Sequence, residues 1–357
     1  MKYKLIVWVL VLCLILTGCE SLFDGEYSSV KPHEQQTSSS EDQKYSISNY
    51  VQLYAALAEL VESGSGGKVI SVAHYNQSLV QTDMQQAVSE LMERNPIAAY
   101  AVEDIKYELG KSNGQSALAV DISYVHDKSA IRRIKQVRSM DEAIGAISVA
   151  LNQCEISLVL QIVNYDDTDF TQVVERYAQD NPQYVMEVPQ VTVETYPETG
   201  RNRVVELVFK YQTARDSLKQ MQKQVRPVFE SAGLYVSGDG EEREKYSQLY
   251  SFLMERYDYR IETSITPAYS LLRHGVGDSR AFAVVYAAMC QQAGLECLVV
   301  SGTKAGESHY WNIVCDEGKY YHVDLLYGRF QEMTDRQMTG YVWDYSAYPA
   351  CGELVAE

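Results

Sequence analysis

"GVGDSRAFAVVYAAM", residues 275–289, decides how the C-terminal third of the chain is read. Gly275 and Gly277 form a turn, and an apolar helix starts at Asp278 or Ser279. The helix is expected to run to about Ala293 and stop at Gly294, because glycine takes the left-handed conformation that closes a helix at little cost. "LECLVVSG" (295–302) reads as the strand that follows. Ser279 therefore stands at a helix N-terminus, where unpaired N–H groups and the positive end of the peptide dipole favour a nucleophile. Three readings of Ser279 are open: a nucleophile, the place of a lost nucleophile, or a helix cap.

Working outward, "HYWNIV" (309–314) and "YYHVDLLYG" (320–328) flank "DEGK" (316–319), a hairpin turn. With Glu317 and Gly318 as the loop, Trp311 falls opposite Asp324. His309 shares the face of Trp311, so His309 and Asp324 become diagonal neighbours within side-chain reach. Upstream, Tyr246, Leu249, Tyr250, Leu253 and Tyr257 define one face of a helix over about 242–258.

These stretches resemble the transglutaminase-like domain of bacterial surface proteins, a papain-like thiol fold. "AYSLLRHGVGDSRAFA" (268–283) matches the family's nucleophile helix, "HYWN" its "HAWN" strand and "YHVD" the strand that follows. "MTDRQMTGYVWDYSAYPAC" (333–351) is similar to the family's usual close, and the resemblance covers about 240–357. It implies His309 as catalytic base, Asp324 as its acid partner, and Trp311 and Asn312 at binding positions. Ser279 stands where the family has its cysteine. A thiol beside a helix N-terminus and a histidine can be a standing thiolate. A hydroxyl must instead lose its proton during attack. Cys290, about three helical turns further on, is no substitute.

The middle of the chain carries an internal repeat. "TDMQQAVSELMERNP" (82–96) aligns with "TDFTQVVERYAQDNP" (168–182), and "QVR" recurs at 136–138 and 224–226, offsets of about 86 to 88 residues. Met84, Ala87, Val88 and Leu91, and likewise Phe170, Val173, Val174 and Tyr177, follow one helix face. Asp83 and Asp169 are the expected N-caps. Hairpins are expected at "SNG" (112–114) and "ETG" (198–200). Residues 47–138 and 139–228 thus read as two tandem α-β-α-β-β repeats acting as spacer, binding or packing modules. "GSGGKV" (64–69) lacks phosphate-loop spacing.

At the N-terminus, Lys2 and Lys4 precede the apolar run Leu5–Leu16, too short for the about 20 residues of a membrane span and suited to a signal peptide over 1–18. "LTGC" (16–19) resembles the lipobox of bacterial lipoproteins, which implies a lipid on Cys19. Residues 19–46 are read as a flexible tether, since they offer too little apolar surface to order themselves.

A formal net charge of −17 excludes broad attraction to nucleic acid or anionic lipid. Seven cysteines show no metal-ligand spacing, so neither metal nor cofactor is expected. The whole reads as an α+β chain, two repeats followed by a transglutaminase-like domain with a helix packed on an antiparallel sheet. The expected function is a lipid-anchored extracytoplasmic protein whose inactive domain binds an extracellular peptide, protein or cell-wall component. Two alternatives stay open: a serine hydrolase or acyl transferase using Ser279, His309 and Asp324, and a purely structural surface protein.

Overall fold

The computed structural model describes residues 46–236, 238–261 and 263–352. Cys19, the segment expected to be a signal peptide (1–18) and all but the last residue of the expected tether (19–46) lie outside them. The first module opens with α1 (Tyr50–Glu62), capped by Asn49, whose side chain accepts the Gln52 N–H. Leu53, Ala56, Leu57, Leu60 and Val61 form its buried stripe. Then come β1 (Gly67–Ser71), α2 (Val80–Arg94) and the short α3 (Pro96–Ala101). The hairpin β2 (Val102–Ser112) and β3 (Gln115–Tyr124) turns on Asn113 and Gly114, both at positive φ. The strand β3 lies between the other two, antiparallel to both.

A short α4 (Lys128–Arg133) leads to β4 (Lys135–Val137), which pairs in parallel with the second module's sheet. That module contains α5 (Met140–Asn152), β5 (Ser157–Ile162), α6 (Phe170–Asp180), β6 (Gln190–Tyr196) and β7 (Arg203–Lys210). Its last strand is again central, giving the order β4-β5-β7-β6. Val205, Leu207 and Phe209 alternate inward from β7 onto Ile147, Leu151, Phe170 and Val174.

Three details differ from the sequence reading. Asp169 does cap α6, but Asp83 lies inside α2, which starts at Val80; there Asp83 accepts a hydrogen bond from the Tyr75 hydroxyl at 2.7 Å. The first "QVR" is largely strand β4, whereas the second lies within the 21-residue helix α7 (Arg215–Tyr235). The same tripeptide takes its structure from its neighbours, here the edge of a sheet and there an apolar face made by Leu218, Val225, Phe229 and Ala232. The boundary expected at 228 falls within that helix, which packs into the core of the last domain.

The last domain contains α8 (Glu242–Met254), β8 (Asp258–Tyr259), α9 (Pro267–His274), β9 (Val276–Gly277) and α10 (Ser279–Gln292). A sheet of β10 (Cys297–Lys304), β11 (Glu307–Asp316), β12 (Lys319–Val323) and β13 (Tyr341–Val342) follows, in the order β12-β11-β10-β13. Every residue from Ala281 to Cys290 is buried. A helix apolar all round must be enclosed, and α7, α8, α9 and the sheet surround it. The opposite face of the sheet carries a second cluster around Trp311, Trp343 and Tyr341. The fold is α+β. Among the described residues no helix is long and apolar enough to cross a membrane.

Candidate functional site

Ser279 is the first residue of α10, and the cap is its neighbour: Asp278 accepts the Ala281 N–H at 2.9 Å. That gives the capping role to Asp278 and frees the Ser279 side chain. Close packing holds this helix start in place. A Cβ on Gly277 would come within 2.9 Å of the Ala281 Cβ and 3.1 Å of the Leu271 side chain. Ser279 is buried, and its Oγ accepts the Tyr310 backbone N–H at 3.2 Å. The pairing of β11 with β12 stops at Asn312 and Val323, so the Tyr310 N–H lies beyond the last rung and is open to a side chain.

The hairpin turns on Glu317 and Gly318, both at positive φ, and pairs Asp316 with Lys319. Continuing that register puts Asp324 opposite Trp311. His309 Nε2 and Asp324 Oδ2 are 3.0 Å apart. An ionised carboxylate only accepts, so Nε2 carries the proton and Nδ1 is the nitrogen left for a reacting group. No hydrogen bond joins Ser279 to His309 among the described residues. Ser279, His309 and Asp324 are thus brought to one strand end, with the base and its acid engaged and the hydroxyl bound elsewhere.

Two partners of Asp324 had no signal in the local sequence. Lys304, the last residue of β10, reaches the same Oδ2 at 2.8 Å, and the Tyr341 hydroxyl donates to it at 2.5 Å. Oδ1 accepts the Leu326 N–H at 2.9 Å. Burial alone would raise the Asp324 carboxyl, but hydrogen bonds from His309, Lys304 and Tyr341 outweigh it and hold the group well below the usual carboxylate range. Burial and the bond to Asp324 push Tyr341 well above an ordinary tyrosine. Gly302 pairs with His309 across β10 and β11. A Cβ there would sit 2.3 Å from the Val342 carbonyl and 2.8 Å from the Trp311 ring, so only glycine lets β13 bring Tyr341 in.

Trp311 and Asn312 do not present themselves to a ligand, because both are fully buried. Asn312 Nδ2 donates to the Ala283 and Leu298 carbonyls at 2.9 and 3.2 Å, pinning α10 to the sheet. Trp311 Nε1 donates to His322 Nδ1 at 3.0 Å. Their positions in the motif mark architecture that fixes the site.

A further cluster unites His322, Asp335 and Cys351, whose ligand-capable atoms lie within 4.8 Å of one another. Trp311 can only donate, so His322 Nδ1 must accept. The proton of the neutral ring is then on Nε2, pointed at Asp335 Oδ1 at 2.8 Å. Asp335 Oδ2 takes the Cys351 backbone N–H at 3.1 Å, and burial pushes the Cys351 thiol up to about 12. A metal here would have to displace that proton and break the Asp335 bond. The donor set fits a hydrogen-bonded strut better than a metal centre.

A helix N-terminus thus lies beside a strand that carries a His–Asp pair. Residues 231–325, which span these elements, match the transglutaminase-like superfamily, so the chain contains a transglutaminase-like domain. Similar solved structures include a TGase (9% identity, TM-score 0.28), covering 64% of this chain and 66% of that one. A protein from Cytophaga hutchinsonii assigned as a cysteine protease shows 12% identity and a TM-score of 0.27, over 43% of this chain and 65% of its own. LapG of Legionella pneumophila, EGTA-treated, shows 12% identity and a TM-score of 0.26, over 37% and 72%. The chain spans just under two thirds of the first two, and at these scores none bears on its chemistry. No curated protein sequence matches the chain.

Proposed function

We propose that this is a lipid-anchored extracytoplasmic protein whose transglutaminase-like domain has lost its thiol nucleophile and binds a peptide or cell-wall ligand without turnover. The observation that carries the inactive-site reading is the setting of Ser279. Its oxygen receives an N–H bond from Tyr310, and no base accepts its own proton among the described residues. A serine nucleophile needs that acceptor in the transition state. What surrounds the hydroxyl instead is a helix N-terminus and a backbone donor, a setting that stabilises an anion already present, as a thiolate would be. Anchoring at Cys19 rests on the "LTGC" motif after a short apolar run. We read the two α/β modules as copies of one unit, because each sheet places its third repeat strand between the other two.

The test is chemical. A fluorophosphonate probe should leave Ser279 unlabelled in the wild type. Ser279→Cys should react with iodoacetamide at about pH 6 faster than a free thiol, and slower again with His309→Ala. Stoichiometric labelling of wild-type Ser279 would establish the second reading, a serine hydrolase or acyl transferase, which the intact His309–Asp324 pair favours. Mass spectrometry of the mature N-terminus should find diacylglyceryl-Cys19, and an unmodified end would remove the anchor.

A further inference from the structure

The second module does more than precede the last domain. Its Met186 and Cys154 belong to the same buried cluster as α10, and Pro182 and Val185 face Pro267, Ala268 and Val284 across a narrow apolar seam. Beside that seam lies a cleft of about 530 Å³. One wall comes from the second module, with Glu175 and Gln179 on α6 and Gln212 after β7. The other comes from the nucleophile region, with Arg280, Tyr310 and Ser301. Arg280 follows Ser279, and Tyr310 is the residue whose N–H binds the Ser279 hydroxyl. The cleft therefore borders the segments that carry Ser279 and His309, while Ser279, His309 and Asp324 themselves are not among its lining residues.

Its free charges are two and opposite. Arg280 is half-buried, with its guanidinium 5.8 Å from the centre of the Tyr310 ring, and makes no ion pair or hydrogen bond among the described residues. Glu175 is exposed and likewise has no partner among them. The other acid in the lining, Glu187, is already engaged: its two oxygens accept the Gln212 and Thr213 N–H groups at 2.5 and 2.9 Å. A cation and an anion that face one cleft from different modules without meeting are matched by a ligand that carries both signs. The amides of Gln179 and Gln212 and the Ser301 hydroxyl supply uncharged donors and acceptors of the kind a peptide backbone uses.

We propose that this cleft binds a short peptide by its two ends, with the carboxylate on Arg280 and the ammonium on Glu175. Arg280 lies in the first turn of α10, where the helix dipole adds to its attraction for a carboxylate. This proposal rests on the peptide-binding reading above and specifies its ligand. It also makes the second module part of the recognition surface.

The test uses di-, tri- and tetraalanine, each with free ends, with an acetylated amine and with an amidated carboxylate, titrated into the protein by calorimetry. For the length that fits, blocking either end should cost about tenfold in affinity. Arg280→Gln should make the acid and the amide bind alike while still distinguishing the acetylated form, and Glu175→Gln should do the reverse. The proposal is overturned if blocked and free peptides bind equally, if both variants weaken every form alike, or if no length binds at millimolar concentration. Equal binding of all forms would leave a peptide site without end recognition. Fluorophosphonate labelling of Ser279 is a separate measurement that decides inactivity alone.

Discussion

The last domain holds two buried His–Asp pairs, and they are built for opposite ends. His309 bonds Asp324 through one nitrogen and keeps the other free, on the part of β11 that lies beyond its pairing with β12. His322 spends both, one on Trp311 and one on Asp335, and is sealed from solvent. In the first pair the acid is the deeply buried member, with three donors on one oxygen. In the second the histidine is buried, and the Asp335 side chain remains 27% exposed. Residue type is the same in both. What separates a reactive arrangement from a strut is whether a lone pair is left over.

The contrast predicts unequal costs. His322→Ala should destabilise the domain by about 3 kcal/mol, since it leaves a cavity, orphans the buried Trp311 N–H and removes one partner of Asp335. His309→Ala should cost about 1 kcal/mol, as its ring is at the edge and one nitrogen has no partner. Urea unfolding followed by tryptophan fluorescence reads this domain, because Trp311 and Trp343 lie in it and the remaining tryptophan, Trp8, lies outside the described residues. Equal losses would erase the distinction.

Gly302→Ala should cost about 2 kcal/mol, because the new methyl group meets a backbone carbonyl that cannot turn aside. The loss should fall on the first pair, by drawing Tyr341 off Asp324. Near-neutral stability would show that β13 is free to shift.

The two pairs also divide the acid range. Burial pushes His322 below the ordinary histidine value, with Asp335 offsetting part of the effect. Its folded value is depressed, so the unfolded chain takes up the proton first. The stability it lends is complete above about pH 6.5 and lost as pH falls from there through the lower folded value. Asp324 is depressed too, so its contribution is complete above about pH 3.9 and lost only in stronger acid. His322→Gln should flatten the stability curve between about pH 7 and 5, while Asp324→Asn should leave that slope and remove the one below about pH 4. A slope between pH 7 and 5 that survives His322→Gln would point to another group.

How far the sequence could be read follows from how local each determinant is. The placement of His309 beside Asp324 was legible because a two-residue turn fixes the register and strand alternation fixes the faces. Lys304 and Tyr341 were not. They arrive from strands whose pairing with each other is set by a long connection, and a lysine at a strand end carries no local sign of its partner. For Trp311 and Asn312 the motif and the alternation give position and face, but not that Tyr341 and Trp343 pack over Trp311 and that Asn312 is tied to α10, which takes both out of reach of a ligand. Ser279 as a cap was excluded only by seeing Asp278 make that bond. The extra pieces α3, α4 and β4 are shorter than a periodic pattern can register.

The smallest expected effect probes how the first pair shares its charge. Asp324 Oδ2 faces a lysine ammonium as well as the imidazole, so its negative charge is divided between them. In a thiol enzyme the acid helps hold an imidazolium beside a thiolate, and a second cation on the same oxygen weakens that hold. Removing the lysine from the Ser279→Cys protein should let the carboxylate act on His309 alone. Lys304→Met keeps the apolar stem, and Tyr341 still donates to the carboxylate. Alkylation of the introduced thiol by iodoacetamide at about pH 6 should then rise about threefold, a shift of under 1 kcal/mol. The rise should vanish when His309→Ala is added. If Lys304→Met slows the reaction instead, the lysine is positioning Asp324 rather than competing for it, and the first pair depends on its third partner as the second depends on Trp311.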